Sequence, residues 1–174
     1  LLGTDLTVEG PLQKGGKGSY LANYRYSTVA AFNALQLMEV EGDPVFQDAA
    51  FKLLMPTEKA GIFSLYGLGG WSRFGLEGIS PEDWDIPGNN EMVEEVFQAY
   101  DKTSFLANVG LNHSYSFSSN RFLETQLGIT TDAVKDNVFE TLEHETRNQT
   151  FKSDLRNTAY RGKLAYHHKL NAKN

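Results

Sequence analysis

Four histidines are the side chains in this sequence best suited to metal binding or acid–base catalysis, and their spacing favours neither. His167 and His168 are adjacent in a segment that alternates like a β-strand. Their imidazoles are therefore expected on opposite faces, where they cannot easily share one metal. The stretch Glu143-His144-Glu145 lacks the H-E-x-x-H spacing of a zinc protease. Because the chain has no cysteine, disulfides, cysteine-based zinc sites and thiol catalysis are excluded.

A glycine-rich stretch, Gln13–Gly18, superficially resembles a phosphate-binding loop. It lacks the spacing G-x-x-x-x-G-K-[ST] of such a loop, and it follows an amphipathic strand pattern instead of opening a helix. We interpret it as a hairpin turn.

The segment Arg73–Lys102 is rich in carboxylates that could bind calcium or a cationic ligand. The acidic residues are Glu77, Glu82, Asp83, Asp85, Glu91, Glu94, Glu95 and Asp101. Their spacing does not match the calcium-loop pattern D-x-[DN]-x-[DN]-G, so we interpret the segment as a solvated loop. Three nearby aromatic residues could stack on a sugar: Trp71, Trp84 and Tyr100. A glycosylation sequon is present by pattern at Asn148-Gln149-Thr150.

No serine–histidine–aspartate set and no carboxylate pair can be argued from spacing. The sequence therefore predicts no catalytic, cofactor-binding or metal-binding residue and no enzymatic activity. Turnover that is lost on His113→Ala or Glu124→Gln substitution would contradict this prediction. The net charge of −6 disfavours nucleic-acid binding, because phosphate recognition requires clustered lysine and arginine.

Seven segments alternate with a period of two residues, which is the pattern of β-strands. They are Thr4–Leu12, Ser19–Ser27, Asp48–Met55, Ile62–Ser72, Thr103–Phe117, Arg121–Thr131 and Asn157–Leu170. An aromatic content of 12% and sixteen glycines agree with strands and turns. We predict an all-β fold, an antiparallel up-and-down meander of about seven strands.

Short and long connections alternate strictly along this meander. The short ones are Gln13–Gly18, Pro56–Gly61 and Ser118–Asn120, and the long ones are Thr28–Gln47, Arg73–Lys102 and Asp132–Arg156. All short turns should therefore lie at one end of the sheet, an asymmetry that is typical of outer-membrane barrels. The long connections could instead hide short helices over Val29–Leu37 and Asn90–Tyr100.

Away from its ends, each predicted strand has one face without full charges. One face is predicted to carry Phe105, Val109, Leu111, Leu123, Leu127 and Ile129, and the other Asn108, Asn112, Glu124 and Gln126. A lipid-facing charge near the bilayer midplane costs about 2–4 kcal/mol, so a membrane barrel would produce this pattern. A soluble sheet with one wet face would also alternate.

Strand length and aromatic placement favour the membrane barrel. Four segments reach the ~9–11 residues that a spanning strand needs. Several aromatic residues are predicted near strand ends, where an interfacial girdle would lie: Tyr20, Tyr26, Trp71, Tyr115, Phe117, Tyr160 and Tyr166.

Within Leu6–Gly70, five groups of residues carry a family resemblance: Val8-Glu9-Gly10-Pro11-Leu12, Tyr24-Arg25-Tyr26-Ser27, Phe46-Gln47-Asp48, Phe51-Lys52-Leu53, and Ala60-Gly61 followed by Phe63-Ser64-Leu65-Tyr66-Gly67. This stretch resembles the barrel of TonB-dependent outer-membrane receptors, in particular those with an N-terminal carboxypeptidase-regulatory-like domain. The remainder of the chain, to Asn174, fits that family in pattern and length, with weaker similarity between individual motifs.

The resemblance implies a channel-forming barrel in the bacterial outer membrane that imports a scarce nutrient. The implied partners are outer-membrane lipid, the remainder of the barrel, a plug domain and TonB, which contacts the N-terminal part of such receptors. On this basis residues 1–174 are expected to form one partial β-barrel domain, without the plug and the remaining strands. The sequence does not indicate the nutrient.

Two other functions compete with this interpretation: a free-standing, lipocalin-like ligand-binding protein and, less favoured, a carbohydrate-active enzyme with a β-sandwich. An isolated sheet of this kind would expose its apolar face to water. We therefore expect the isolated chain to curl over that face, to pair with a second copy, or to need detergent.

Overall fold

A computed structural model describes residues 2–28, 44–76, 78, 98–140 and 147–170. These residues form seven strands: β1 Leu2–Pro11, β2 Ser19–Thr28, β3 Val45–Pro56, β4 Ile62–Leu76, β5 Gln98–Ser118, β6 Arg121–Glu140 and β7 Asn148–His168. Within these ranges there is no helix long and apolar enough to cross a membrane.

The strands form one sheet in sequence order, and every neighbouring pair is antiparallel. The predicted up-and-down meander is therefore confirmed, as are the hairpin turns. The amide of Leu12 donates to the carbonyl of Gly18 at 2.9 Å, and the amide of Thr57 donates to that of Gly61 at 2.8 Å. These two turns and the β5–β6 turn lie at the same end of the sheet, which we call the turn end. The opposite end is the loop end.

Several strands extend further toward the loop end than the sequence predicts. The predicted connections Arg73–Lys102 and Asp132–Arg156 both begin and end inside strands, because β4 reaches Leu76 and β6 reaches Glu140. In these extensions neither face is free of charged residues, but backbone pairing between the strands continues. Cross-strand ion pairs accommodate charges in them: Arg73–Asp101, Lys102–Asp136 and Lys135–Asp154.

The possible helix Asn90–Tyr100 is wrong over its last three residues, which belong to β5. Its other residues, and the possible helix Val29–Leu37, lie outside the described part of the chain.

The two predicted faces are confirmed by the register. Val109 lies opposite Ile129 and Leu111 opposite Leu127, whereas Asn112 lies opposite Gln126 on the other side. We call the side that carries Val109 the apolar face and the side that carries Asn112 the polar face.

The sheet is open, and β1 and β7 are its two edges. A closed barrel is therefore not seen. In a meander of seven antiparallel strands the first and last run in the same direction, so a direct β1–β7 pair would have to be parallel. Antiparallel closure would require further strands between these edges.

The apolar face is not covered by the rest of the described chain. Phe105 is 40% exposed and Leu127 is 54% exposed. The expected curl over this face is therefore not seen, while pairing with a second copy and a need for detergent stay predictions. Instead, cavities lie on the polar face and are lined by residues of successive strands, so the sheet curves toward that face. Small residues on this face, such as Ser72, Ser104 and Gly128, favour this direction because side chains converge on the inside of the curve.

Candidate functional surfaces

An apolar band crosses all seven strands on the apolar face. On β5 it runs from Phe105 near the loop end to Tyr115 near the turn end. The ten residue steps between them span about 33 Å along the strand. At the strand tilt of about 40° that is usual in membrane barrels, the band would be about 25 Å tall, the height of the apolar band in such barrels.

Within this band, the described residues of the apolar face include no Asp, Glu, Lys or Arg except at one boundary. Arg156 lies there, opposite Ala133 and level with Phe105. Just beyond the band toward the loop end, the same face carries two ion pairs. Arg73 Nε lies 3.0 Å from Asp101 Oδ1, and Lys135 Nζ lies 3.2 Å from Asp154 Oδ2. The face thus changes sharply from apolar to charged.

Aromatic rings form a nearly continuous row at the turn end of the apolar band. The row contains, in order, Phe63, His113, Tyr115, Phe117, Tyr166 and His168, with successive ring centroids 4.3, 6.5, 4.9, 6.3 and 6.3 Å apart. At the loop end, Tyr26, Trp71 and Phe105 occupy the corresponding boundary and are exposed. Rings with an apolar body and a polar edge suit the boundary between an apolar and an aqueous phase.

One predicted girdle residue does not lie at a boundary. Tyr160 lies opposite Ile129, in the middle of the band. It was predicted near a strand end because β7 was expected to begin at Asn157, whereas pairing with β6 continues back to Asn148.

The polar face is held by side-chain hydrogen bonds and ion pairs between strands. Asn23 Nδ2 donates to Asp5 Oδ1 at 2.9 Å and lies 2.8 Å from Thr7 Oγ1. Arg25 donates to Asp48 Oδ2 from both Nε and Nη2 at 2.8 Å. These groups satisfy one another while remaining open to water, as the lining of an aqueous lumen would require.

One cavity, of about 580 Å³, lies on the polar face near the loop end. Its lining combines the Arg25–Asp48 pair with small and apolar side chains, among them Ser27, Phe46, Ser104 and Leu106. A second cavity, of about 520 Å³, lies nearer the turn end. Its polar lining residues are Tyr66, Asn108, Gln126, Thr130, Arg161 and Lys163.

The histidines are placed by ring stacking. His113 stacks on Phe63, and its Nε2 lies 2.7 Å from the carbonyl oxygen of Ala60. His167 stacks on Phe122 with an interplanar angle of 8°, and its Nε2 lies 3.4 Å from Glu124 Oε2.

His168 lies near Tyr166 on the apolar face, opposite in direction to His167. The described residues contain no group of three or more His, Asp or Glu side chains that could hold a metal ion. Glu143-His144-Glu145 lies outside those residues.

The other candidate residues do not converge. Trp71 belongs to the apolar face and Tyr100 to the polar face, where its hydroxyl donates to Gln98 Oε1. The two rings therefore do not form one sugar-stacking platform, and Trp84 is outside the described chain. Of the eight acidic residues of Arg73–Lys102, only Asp101 is described, and it pairs with Arg73.

The glycine-rich stretch and the sequon have structural places. Gly15 adopts a φ of 76° within the β1–β2 turn, in agreement with the hairpin interpretation. Asn148-Gln149-Thr150 begins β7, and Gln149 Nε2 donates to Asn137 Oδ1 at 3.0 Å.

The second cavity was missed in the sequence. Its lining includes Gly128, which lies directly opposite Gly110. The ring of Tyr66 covers Gly110, so the gap lies above Gly128, between that ring and Arg161. Two glycines at matching positions of consecutive strands are the signal that could have indicated it, but only once the register of β5 on β6 is known.

Comparison with family models, with curated proteins and with solved structures found no match. The functional argument therefore rests on the geometry of the two faces.

Proposed function

We propose that this chain forms part of the wall of an outer-membrane β-barrel, in a receptor of the TonB-dependent type that takes up a nutrient. The apolar face contacts lipid, and the polar face lines the lumen. The observation that carries the proposal is the apolar band, which is bounded by aromatic rings at both ends and by ion pairs beyond the loop end.

The direction of curvature supports the same arrangement. A soluble sheet would be expected to bury its apolar face, whereas here the cavities lie on the polar face and Leu127 is exposed on the other. The acyl chains of a bilayer would cover that face, so its apolar side chains would not be exposed to water. Exposed charges such as Arg25 and Asp48 would remain in water on the lumen side.

The proposed function includes partners that the resemblance implies. Further barrel strands would pair with the open edges β1 and β7, whose outward N–H and C=O groups otherwise lack partners in the described sheet. A plug domain would fill the lumen, and contact between TonB and the N-terminal part of the receptor would supply energy. The wall residues themselves position ligand and plug and carry no chemistry in this scheme.

Site-directed labelling tests which face meets lipid. Because the chain has no cysteine, single cysteines can be introduced one at a time. We would label Leu127→Cys and Gln126→Cys, which are neighbours on opposite faces, with an environment-sensitive fluorophore. The intact protein would be placed in vesicles containing lipids brominated along the acyl chain.

We expect the label at position 127 to be blue-shifted and quenched by the brominated lipid, and the label at 126 to remain water-exposed. Equal quenching at both positions, or none at 127, would rule out a lipid-facing apolar band. A label at Lys14, in the β1–β2 turn, serves as a control outside the acyl region.

A further inference from the structure

On the polar face, the second cavity contains two cations that have no acidic partner among the residues that the structure describes. Arg161 and Lys163 lie on the same side of β7, and about 6.6 Å of strand separates their Cα atoms. None of the described carboxylates lies within ion-pair distance of either side chain. By contrast, Arg25 on the same face is paired with Asp48, and Lys102 with Asp136.

The hydrogen bonds in this cavity leave donors without acceptors. Thr130 Oγ1 accepts from Asn108 Nδ2 at 2.6 Å and from Arg161 Nη1 at 3.1 Å. Because a hydroxyl oxygen has two lone pairs, these two donors occupy both, and only the hydroxyl proton remains available for a further hydrogen bond. The lining thus offers the remaining N–H groups of Arg161, the ammonium of Lys163 and the Thr130 hydroxyl, and it includes no carboxylate.

The cavity has room for a ligand because glycine forms part of its lining. A Cβ built on Gly128 would meet only the carbonyl oxygen of Val109, at 3.7 Å. In contrast, the ring of Tyr66 already fills the space above Gly110. The open space therefore lies above Gly128, between Tyr66 and the two cations.

We propose that this cavity binds a small anion through a carboxylate or phosphate group. Arg161 and Lys163 neutralise the charge, while Thr130 donates a hydrogen bond and Tyr66 forms the opposite wall. Hydrogen bonds to an ionised acceptor are the strong ones, and the anion supplies an acceptor that the Thr130 hydroxyl does not find in the described part of the chain. This inference depends on the polar face alone, so it does not require the opposite face to contact lipid.

The test is a calorimetric titration of the intact protein in detergent micelles, with inorganic phosphate and, separately, with succinate. We expect saturable binding of at least one of them. Lys163→Gln and Arg161→Gln should each weaken it about tenfold, since each removes a charged hydrogen-bond donor. Lys52→Gln removes the same charge from the same face outside this cavity and should leave binding unchanged.

A second variant tests the cavity without changing its charge. Gly128→Leu should fill the space while the backbone keeps its place, because a Cβ is accommodated there, and binding should be lost. Circular dichroism would verify that the strands remain. Absence of saturable binding in the unsubstituted protein, unchanged binding in Gly128→Leu, or an equal loss in Lys52→Gln would each overturn the proposal. Quenching of the fluorophore at position 127 by brominated lipid does not depend on anion binding. That experiment therefore tests the proposed function separately.

Discussion

His113 connects β5 to the start of β4 and to the turn before it through two contacts of different kinds. Its imidazole stacks on Phe63 with ring centroids 4.3 Å apart, and its Nε2 lies 2.7 Å from the carbonyl oxygen of Ala60. Because a carbonyl can only accept, Nε2 must carry a proton. This histidine in the middle of a strand therefore has a structural partner for its ring and for its polar edge.

Substitution of His113 separates these two contacts. His113→Phe keeps an aromatic ring against Phe63 but loses the hydrogen bond, and should cost about 1 kcal/mol in the free energy of unfolding. His113→Ala loses both and should cost about 0.5–1.5 kcal/mol more, the contribution of an aromatic pair. Urea unfolding in detergent micelles measures both values. Equal destabilisation by the two variants would show that the stacking contributes nothing.

Two glycines with positive φ should respond differently to alanine. Gly15 has a φ of 76° and open space around a built Cβ, whereas Gly61 has a φ of 84° and a Cβ there would overlap the carbonyl oxygen of Ser114. Gly15→Ala should cost about 1–2 kcal/mol for the left-handed backbone alone. Gly61→Ala should cost about 1–3 kcal/mol beyond that, because β5 must shift.

The same unfolding measurement compares these turn variants directly. If Gly15→Ala is as damaging as Gly61→Ala, backbone conformation dominates and the close approach of Ser114 does not matter.

A lysine on each face tests the energetic difference between them. Leu111→Lys places a charge in the middle of the apolar band, and Asn112→Lys places the same charge one residue away on the polar face. In a bilayer, the first should cost about 2–4 kcal/mol, as a cation at the midplane of a barrel wall does. The second should change stability by no more than about 0.5 kcal/mol.

Reversible unfolding from lipid vesicles, compared between these two variants, provides the measurement. A similar cost at both positions would contradict a lipid-facing apolar band, and it would leave the fold itself unaffected.

The ion pair between Arg25 and Asp48 should contribute little to stability. Both of its short contacts reach the same oxygen, Oδ2, and neither side chain is buried. A double-mutant cycle with Arg25→Gln and Asp48→Asn should give a coupling energy below about 1 kcal/mol that decreases as salt is added. A larger, salt-independent coupling would indicate that this pair is shielded from water.

The strand ends show where a prediction from sequence stops. Alternation identifies β5 and β6 between Thr103 and Thr131. Away from the strand ends, every second residue there is uncharged, and most of these residues are apolar. Beyond Ala133, the charge of Lys135 on the apolar face breaks that pattern, although pairing continues to Glu140. Only the register shows that Lys135 meets Asp154 and that Asp136 meets Lys102.

The sequence by itself determined the number of strands, their antiparallel order and which residues share a face. These properties follow from a period of two and from turn residues between segments, both of which are local. The tertiary structure decided the direction in which the sheet curves, the opposition of Gly110 and Gly128, and the meeting of Arg161 with Thr130. Each of these depends on how distant strands are aligned, and the alignment is fixed by the sum of many cross-strand contacts that no single segment contains.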